Sequence, residues 1–268
     1  MNKFINSPIG IFDSGLGGLT VLQSLESHLP NESFVYFGDT ARVPYGNKSA
    51  EIVIHYSKQI IEFLQNYGVK MIVVACNTSS ALALTTLKVN FNLPIFGVIE
   101  PSVYLAESVN SSDSVVVLGT RATINSHSYS KMFTEINSAK NIVEKSCSLF
   151  VPIIEEGLLS GKITEDIIQY YLSNIKDQKL DQIILGCTHY PILKDGIQNY
   201  LGENVNLITS GEALSPVIKQ FLIDNNLSAT SKIQDTQFFI SDFPQKFHEL
   251  GSRFLGRELK NISHISNF

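Results

Sequence analysis

Cys76 and Cys187 stand in matching surroundings. The first ends the apolar run Ile72-Val73-Val74-Ala75 and precedes Asn77-Thr78-Ser79; the second ends Ile183-Ile184-Leu185-Gly186 and precedes Thr188-His189. An apolar, β-branched run that stops at a polar residue reads as a buried strand and its exit. A thiol at such an exit, where a helix starts, can be held as a thiolate, because a helix N-terminus favours negative charge. Two such thiols facing one carbon have a natural use. One removes a proton from one face, the other returns a proton to the opposite face, and the stereocentre inverts. The proton removed is weakly acidic, so the site must also exclude water and hydrogen-bond the carboxylate that shares the carbanion charge.

Each candidate has a plainer reading. Free cysteine is commonly a buried structural residue, and Cys147, with no polar sequel, keeps that reading. His189, two residues from Cys187, is either an ordinary core or surface histidine or a proton partner for that thiol. Asp13, in Asp13-Ser14-Gly15, is either a turn residue or a carboxylate that serves the first thiol. Glu155 is either a first-turn helix carboxylate or part of the site, and Asp39 can simply cap a turn.

The elements that would carry these residues follow a repeated pattern. Apolar runs at 9–12, 34–37, 71–75 and 94–98 alternate with helical spacing at 19–29, 52–67 and 79–91. A second series has strands at 114–118, 142–147, 183–186 and 205–208, with helices at 100–109, 124–133, 163–175 and 191–201. The stretch Leu149-Phe150-Val151-Pro152-Ile153-Ile154-Glu155 is apolar up to its acidic end. Alternation of this kind predicts an α/β fold with mainly parallel sheets flanked by helices. The two series match strand for strand, which predicts two pseudo-symmetric domains. Ligands of such sheets bind at the carboxyl ends of the strands. Asp13, Ser14, Asp39, Cys76, Asn77, Thr78, Thr120, Glu155, Cys187, Thr188 and His189 would then share the cleft between them. The tail has helices at 212–226 and 243–254 and a strand at 237–240, and is expected to return to the first half. The expected domains are 1–98 plus 211–268, and 99–210.

A net charge of −5 with no basic cluster argues against nucleic acid and against an anionic membrane surface. No apolar run reaches the roughly 20 residues of a membrane span. The N-terminal residues lack the pattern of a signal peptide, and three cysteines do not make a disulfide framework, so the expected location is cytoplasmic. Gly15-Leu16-Gly17-Gly18-Leu19-Thr20 has threonine where a dinucleotide fingerprint needs its third glycine. Cys76, Cys187 and His189 lack metal-ligand spacing.

The combination of motifs resembles the glutamate racemases of the aspartate/glutamate racemase superfamily. The matching stretches are Ile11-Phe12-Asp13-Ser14-Gly15-Leu16-Gly17-Gly18-Leu19, Gly38-Asp39-Thr40-Ala41-Arg42-Val43-Pro44-Tyr45-Gly46, Ala75-Cys76-Asn77-Thr78-Ser79-Ser80-Ala81, Gly97-Val98-Ile99-Glu100-Pro101, Gly119-Thr120-Arg121-Ala122-Thr123 and Leu185-Gly186-Cys187-Thr188-His189-Tyr190-Pro191. The resemblance implies interconversion of L- and D-glutamate without pyridoxal phosphate or metal, D-glutamate supply for peptidoglycan, and a homodimer. It implies that Cys76 acts on the D-enantiomer and Cys187 on the L-enantiomer. Asp13 would assist Cys76, and His189 with Glu155 would assist Cys187. Ser14, Tyr45, Gly46, Asn77, Thr78, Thr120, Thr123, Thr188 and His189 would hold the substrate. Where relatives often carry Asp-Ser-Gly, this chain has Thr209-Ser210-Gly211. It has no long N-terminal extension of the kind tied to activation by a peptidoglycan precursor, so that regulation is not expected. The alternatives are a racemase for aspartate or another acidic amino acid, a Cys–His hydrolase, and a two-domain carboxylate sensor.

Overall fold

The structure is a computed structural model that describes residues 5–109, 113–176, 181–242, 244–266 and 268. The first series of elements comprises β1 (Ile9–Asp13), α1 (Leu19–His28), β2 (Phe34–Gly38), α2 (Ala50–Gln65), β3 (Met71–Val74), α3 (Asn77–Leu82), α4 (Leu84–Asn90) and β4 (Ile95–Gly97). The second comprises α5 (Ile99–Ser108), β5 (Ser114–Gly119), α6 (Arg121–Asn125), α7 (Ser128–Glu135), β6 (Asn141–Ser146), α8 (Phe150–Glu155), α9 (Lys162–Lys176), β7 (Gln182–Gly186), α10 (Lys194–Leu201) and β8 (Asn206–Thr209). The tail adds α11 (Ser210–Asp224), β9 (Gln237–Ile240), α12 (Pro244–Leu255) and β10 (Ile262–His264). Phe243, where the last helix was expected to begin, lies outside the described residues.

Two sheets result, ordered β10-β9-β2-β1-β3-β4 and β6-β5-β7-β8. Every described ladder is parallel. The four-strand orders β2-β1-β3-β4 and β6-β5-β7-β8 are the same once the strands are matched in sequence, so the repeat expected from the sequence is a repeat of topology. The central strands β1, β3 and β7 are buried along their whole length, as sheets covered on both faces require. Edge strand β6 is half-buried, which is why it can carry Glu144 and Lys145. Strand β9 pairs with β2, and β10 with β9, so the tail extends the first sheet.

Several helices differ from their expected spans. The helix expected at 79–91 starts at Asn77 and bends at Ala83. Its early start is explained by Cys76, whose sulfur accepts the Ser79 N–H and caps it. The helix expected at 124–133 is split at His127, which takes a left-handed φ of 54°. Pro191 sits in a short 3₁₀ turn, Tyr190–Leu193, before α10. Strand β10 was not anticipated, because three residues without an apolar run leave no periodic signal.

At the opposite end of the first sheet from the candidate residues, Lys70 and Glu32 form a buried ion pair at 2.6 Å. The Lys70 ammonium also donates to the carbonyls of Ile5 and Leu227, and Glu32 accepts the Ala229 N–H. The pair thus ties the N-terminal segment and the tail to β3. Lys70→Met is expected to cost roughly 3–5 kcal/mol in urea unfolding, since it leaves a buried carboxylate without its counter-charge. A loss under about 1 kcal/mol would mean that Glu32 relaxes to water.

Candidate active site

Strand ends set the site. Chain exits from β1, β2 and β3 deliver Asp13-Ser14, Asp39 and Cys76; exits from β5 and β7 deliver Thr120 and Cys187. All lie at the carboxyl ends of their sheets, and the two ends face a common cavity of about 330 Å³. Ser14, Tyr45, Gly46, Cys76, Asn77 and Thr78 line it from the first series. Thr120, Glu155, Cys187, Thr188 and His189 line it from the second. Asp13 and Thr123 lie directly behind this lining, and both are fully buried. Cys147 is also buried outside the cavity, its thiol pushed up to about 12 by desolvation, consistent with a structural residue.

The two thiols share a position but not an environment. Cys76 donates to Ser14 Oγ at 3.7 Å and accepts the Ser79 N–H at 3.5 Å. Burial, with the Asp13 carboxylate adding to it, pushes this thiol up to about 11. Cys187 instead has His189 as its hydrogen-bond partner. Burial alone would pull His189 down. Its hydrogen bonds and charge interactions with Cys187 and Glu155 outweigh that and raise it to about 10. The Nε2 atom lies 3.1 Å from Glu155 Oε1, and the ring packs edge-on to Phe254 with centroids 5.3 Å apart. One thiol is therefore held protonated at neutral pH, and the other sits beside an imidazolium. Glu155 closes α8 rather than opening a helix, contrary to the plainer sequence reading. A carboxylate is disfavoured at that helix end, and the His189 pairing offsets this.

Asp13 joins the two sides. Its Oδ2 accepts the Gly15 N–H at 2.9 Å, and its Oδ1 accepts the Thr188 hydroxyl at 3.3 Å. Burial raises its pKa, with the His189 charge opposing the shift. The glycines after it have a use that the sequence did not reveal. A Cβ on Gly17 would fall 2.2 Å from Thr188 Oγ1 and 2.4 Å from His189 Nδ1. Gly17 thus admits the opposite wall of the cleft. Gly17→Ala is expected to displace His189 and lower turnover by roughly a hundred-fold, in line with the cost of small misplacements. Native turnover in that variant, measured by polarimetry, would show that the 188–189 turn moves aside freely.

Hydroxyls and an amide complete the polar lining. Thr78 lies 3.0 Å from Thr120 Oγ1 and 3.3 Å from Thr123 Oγ1, a cluster drawn from both series. Asn77 donates to the Tyr129 hydroxyl and to Ser210 Oγ, while its Oδ1 has no partner among the described residues. Tyr45 donates to Asp39, which also holds Arg42 and Ser241. Asp39 therefore braces the wall without lining it. Thr209, at the departure from the family pattern, caps α11 by accepting the Glu212 N–H. Sequence reading missed Arg121, Ser148 and Glu156 in the lining. Arg121 was visible beside Thr120, but nothing in the spacing said that it faced the cleft. No group of three or more His, Cys, Asp or Glu among the described residues is placed to hold a metal ion. No described helix is long and apolar enough to cross a membrane.

The Asp/Glu/Hydantoin racemase model matches residues 10–216. The glutamate racemase of Geobacter metallireducens is 44% identical over 259 residues, covering 96% of each chain. Among solved structures, a glutamate racemase of Bacillus anthracis superposes with a TM-score of 0.93 at 32% identity over 97% of each chain. The glutamate racemase of Francisella tularensis in complex with D-glutamate gives 0.89 at 39% identity over 98% of each chain. With a model match over most of its length and a fold shared end to end with such relatives, the chain belongs to the Asp/Glu/Hydantoin racemase family of enzymes.

Proposed function

We propose that the protein interconverts L- and D-glutamate by two-base proton transfer, without a cofactor. The observation that carries this is the pair of strand-end thiols on one cavity, each with its own proton partner. In the L-to-D direction the Cys187 thiolate takes the Cα proton. The electron pair left on Cα delocalises into the α-carboxylate, and the Cys76 thiol gives its proton to the opposite face. The D-to-L direction exchanges the roles. His189, oriented by Glu155, is the proton partner of Cys187; Asp13 is that of Cys76. The threonine cluster, Ser14, Asn77 and the Tyr45-Gly46 backbone hold the carboxylates and the amine.

The same reading has two hinged units, 1–98 with 211–268 and 99–210, closing on the substrate. It also has a cytoplasmic homodimer that supplies D-glutamate for peptidoglycan. The glutamate racemases named above support the choice of substrate. The test is incubation of the purified protein with L-glutamate alone, followed by chiral chromatography. A 1:1 mixture of enantiomers supports the proposal. A folded sample that leaves L-glutamate intact, or that inverts L-aspartate faster in a parallel run, contradicts it.

A further inference from the structure

The charged groups lining the cavity are Arg121, Glu155, Glu156 and His189. Glu155 and His189 are engaged with each other. Arg121 is solvent-exposed at the cavity wall and forms no ion pair with any described residue. Its charge reaches the Tyr171 hydroxyl, which accepts the Leu149 N–H.

Local structure gives no reason for this residue type. Arg121 is the first residue of α6, directly after the Thr120 cap. A cation there opposes the helix dipole, although weakly for so short a helix. The cavity supplies a reason. With His189 protonated and Cys187 as the thiolate that the proposed mechanism uses, its lining charges are two positive and three negative, +2 − 3 = −1. Without Arg121 they sum to +1 − 3 = −2, and a substrate carrying two carboxylates would enter against twice the net repulsion. The hydroxyls of Thr78, Thr120 and Thr123 beside Arg121 can bond a carboxylate, but as neutral groups they do not attract it from solution.

We infer that Arg121 is a specificity-determining residue: its guanidinium draws the substrate's distal carboxylate to the cavity mouth and selects a dicarboxylate over its neutral amide. This rests on the reading of glutamate as substrate. As an exposed residue of the cavity wall, Arg121 is assigned to capture and not to proton transfer.

Steady-state kinetics of the full chain with both glutamate enantiomers, at low and high salt, test this. Arg121→Gln is expected to raise KM about ten-fold in both directions and to keep kcat within about two-fold, as loss of a rim charge does. The fall of kcat/KM with salt should flatten in the variant, because the screened attraction is gone. Arg121→Lys should retain most of the native KM. Titration calorimetry with D-glutamate and D-glutamine should show a preference for D-glutamate that narrows in Arg121→Gln. Native KM and native salt dependence in that variant would overturn the inference, as would a loss confined to kcat. If the wild-type protein turns over neither enantiomer, the glutamate reading fails, and the calorimetric preference still decides the role of Arg121.

Discussion

Cys76→Ser and Cys187→Ser are each expected to lower racemisation by about a thousand-fold or more, within or beyond the range of a single general acid–base group. A serine hydroxyl is far less acidic than a thiol, so it neither forms the base nor gives up a proton at the required rate. Inversion needs both transfers, so loss of either side stops the full cycle. The losses should be alike in size although the two thiols differ in environment, since each lies on the only route between the enantiomers. Circular dichroism should show both variants folded, because serine keeps the shape of the side chain and each strand end is otherwise unchanged. Cys147→Ala, outside the cavity, should stay within a few-fold of the native rate. Polarimetry reads all three. A Cys76 or Cys187 variant with native turnover would end the two-thiol scheme.

Asp13→Asn is expected to move stability and activity in opposite directions. Burial raises the folded-state pKa of Asp13 above its ordinary value of 3.8, so the fold prefers the protonated carboxyl. That preference contributes stability that is fully present below pH 3.8 and is lost as pH rises through the raised folded value. At neutral pH the charged carboxylate therefore costs stability, and asparagine removes the cost. The amide can still accept the Gly15 N–H and face Thr188, so the local turn survives. The expected gain at neutral pH is roughly 1–2 kcal/mol by denaturant unfolding, shrinking toward zero in acid. Turnover should fall about a hundred-fold or more, because the variant loses the negative charge that acts on both Cys76 and His189. A variant destabilised at neutral pH would show that the Gly15 and Thr188 hydrogen bonds outweigh the desolvation of the carboxylate.

Much of this architecture was readable because buried parallel strands leave an unbroken apolar run. The strands carrying Asp13, Cys76, Thr120 and Cys187 were placed within a residue or two, and their exits gave the thiols. The polarity of β6 follows from its edge position, which the sequence does not state. What stayed hidden depends on contacts across the cleft. Gly17 reads as a turn glycine until Thr188 and His189 are seen against it. Arg121 reads as a surface residue until α6 is turned to the cavity. Glu155 was found, but at the wrong end of its helix, because an apolar run ending in two acids does not show which terminus it marks. The bend at Ala83 has no local signal either, since alanine is a strong helix former. There Ser80 binds the Val74 carbonyl and accepts the Val98 N–H, and these ties to the sheet hold α3.

The central claim is that two thiols act on opposite faces of a single carbon, one taking a proton and the other giving one. The most direct measurement is initial-rate conversion of L-glutamate in deuterated water, with deuterium at Cα read by mass spectrometry in the separated enantiomers. The two-thiol account predicts one deuterium in nearly every D-glutamate formed, and protium retained in the unreacted L-glutamate. D-glutamate that keeps the original protium, or L-glutamate that exchanges before any D-enantiomer appears, would contradict it.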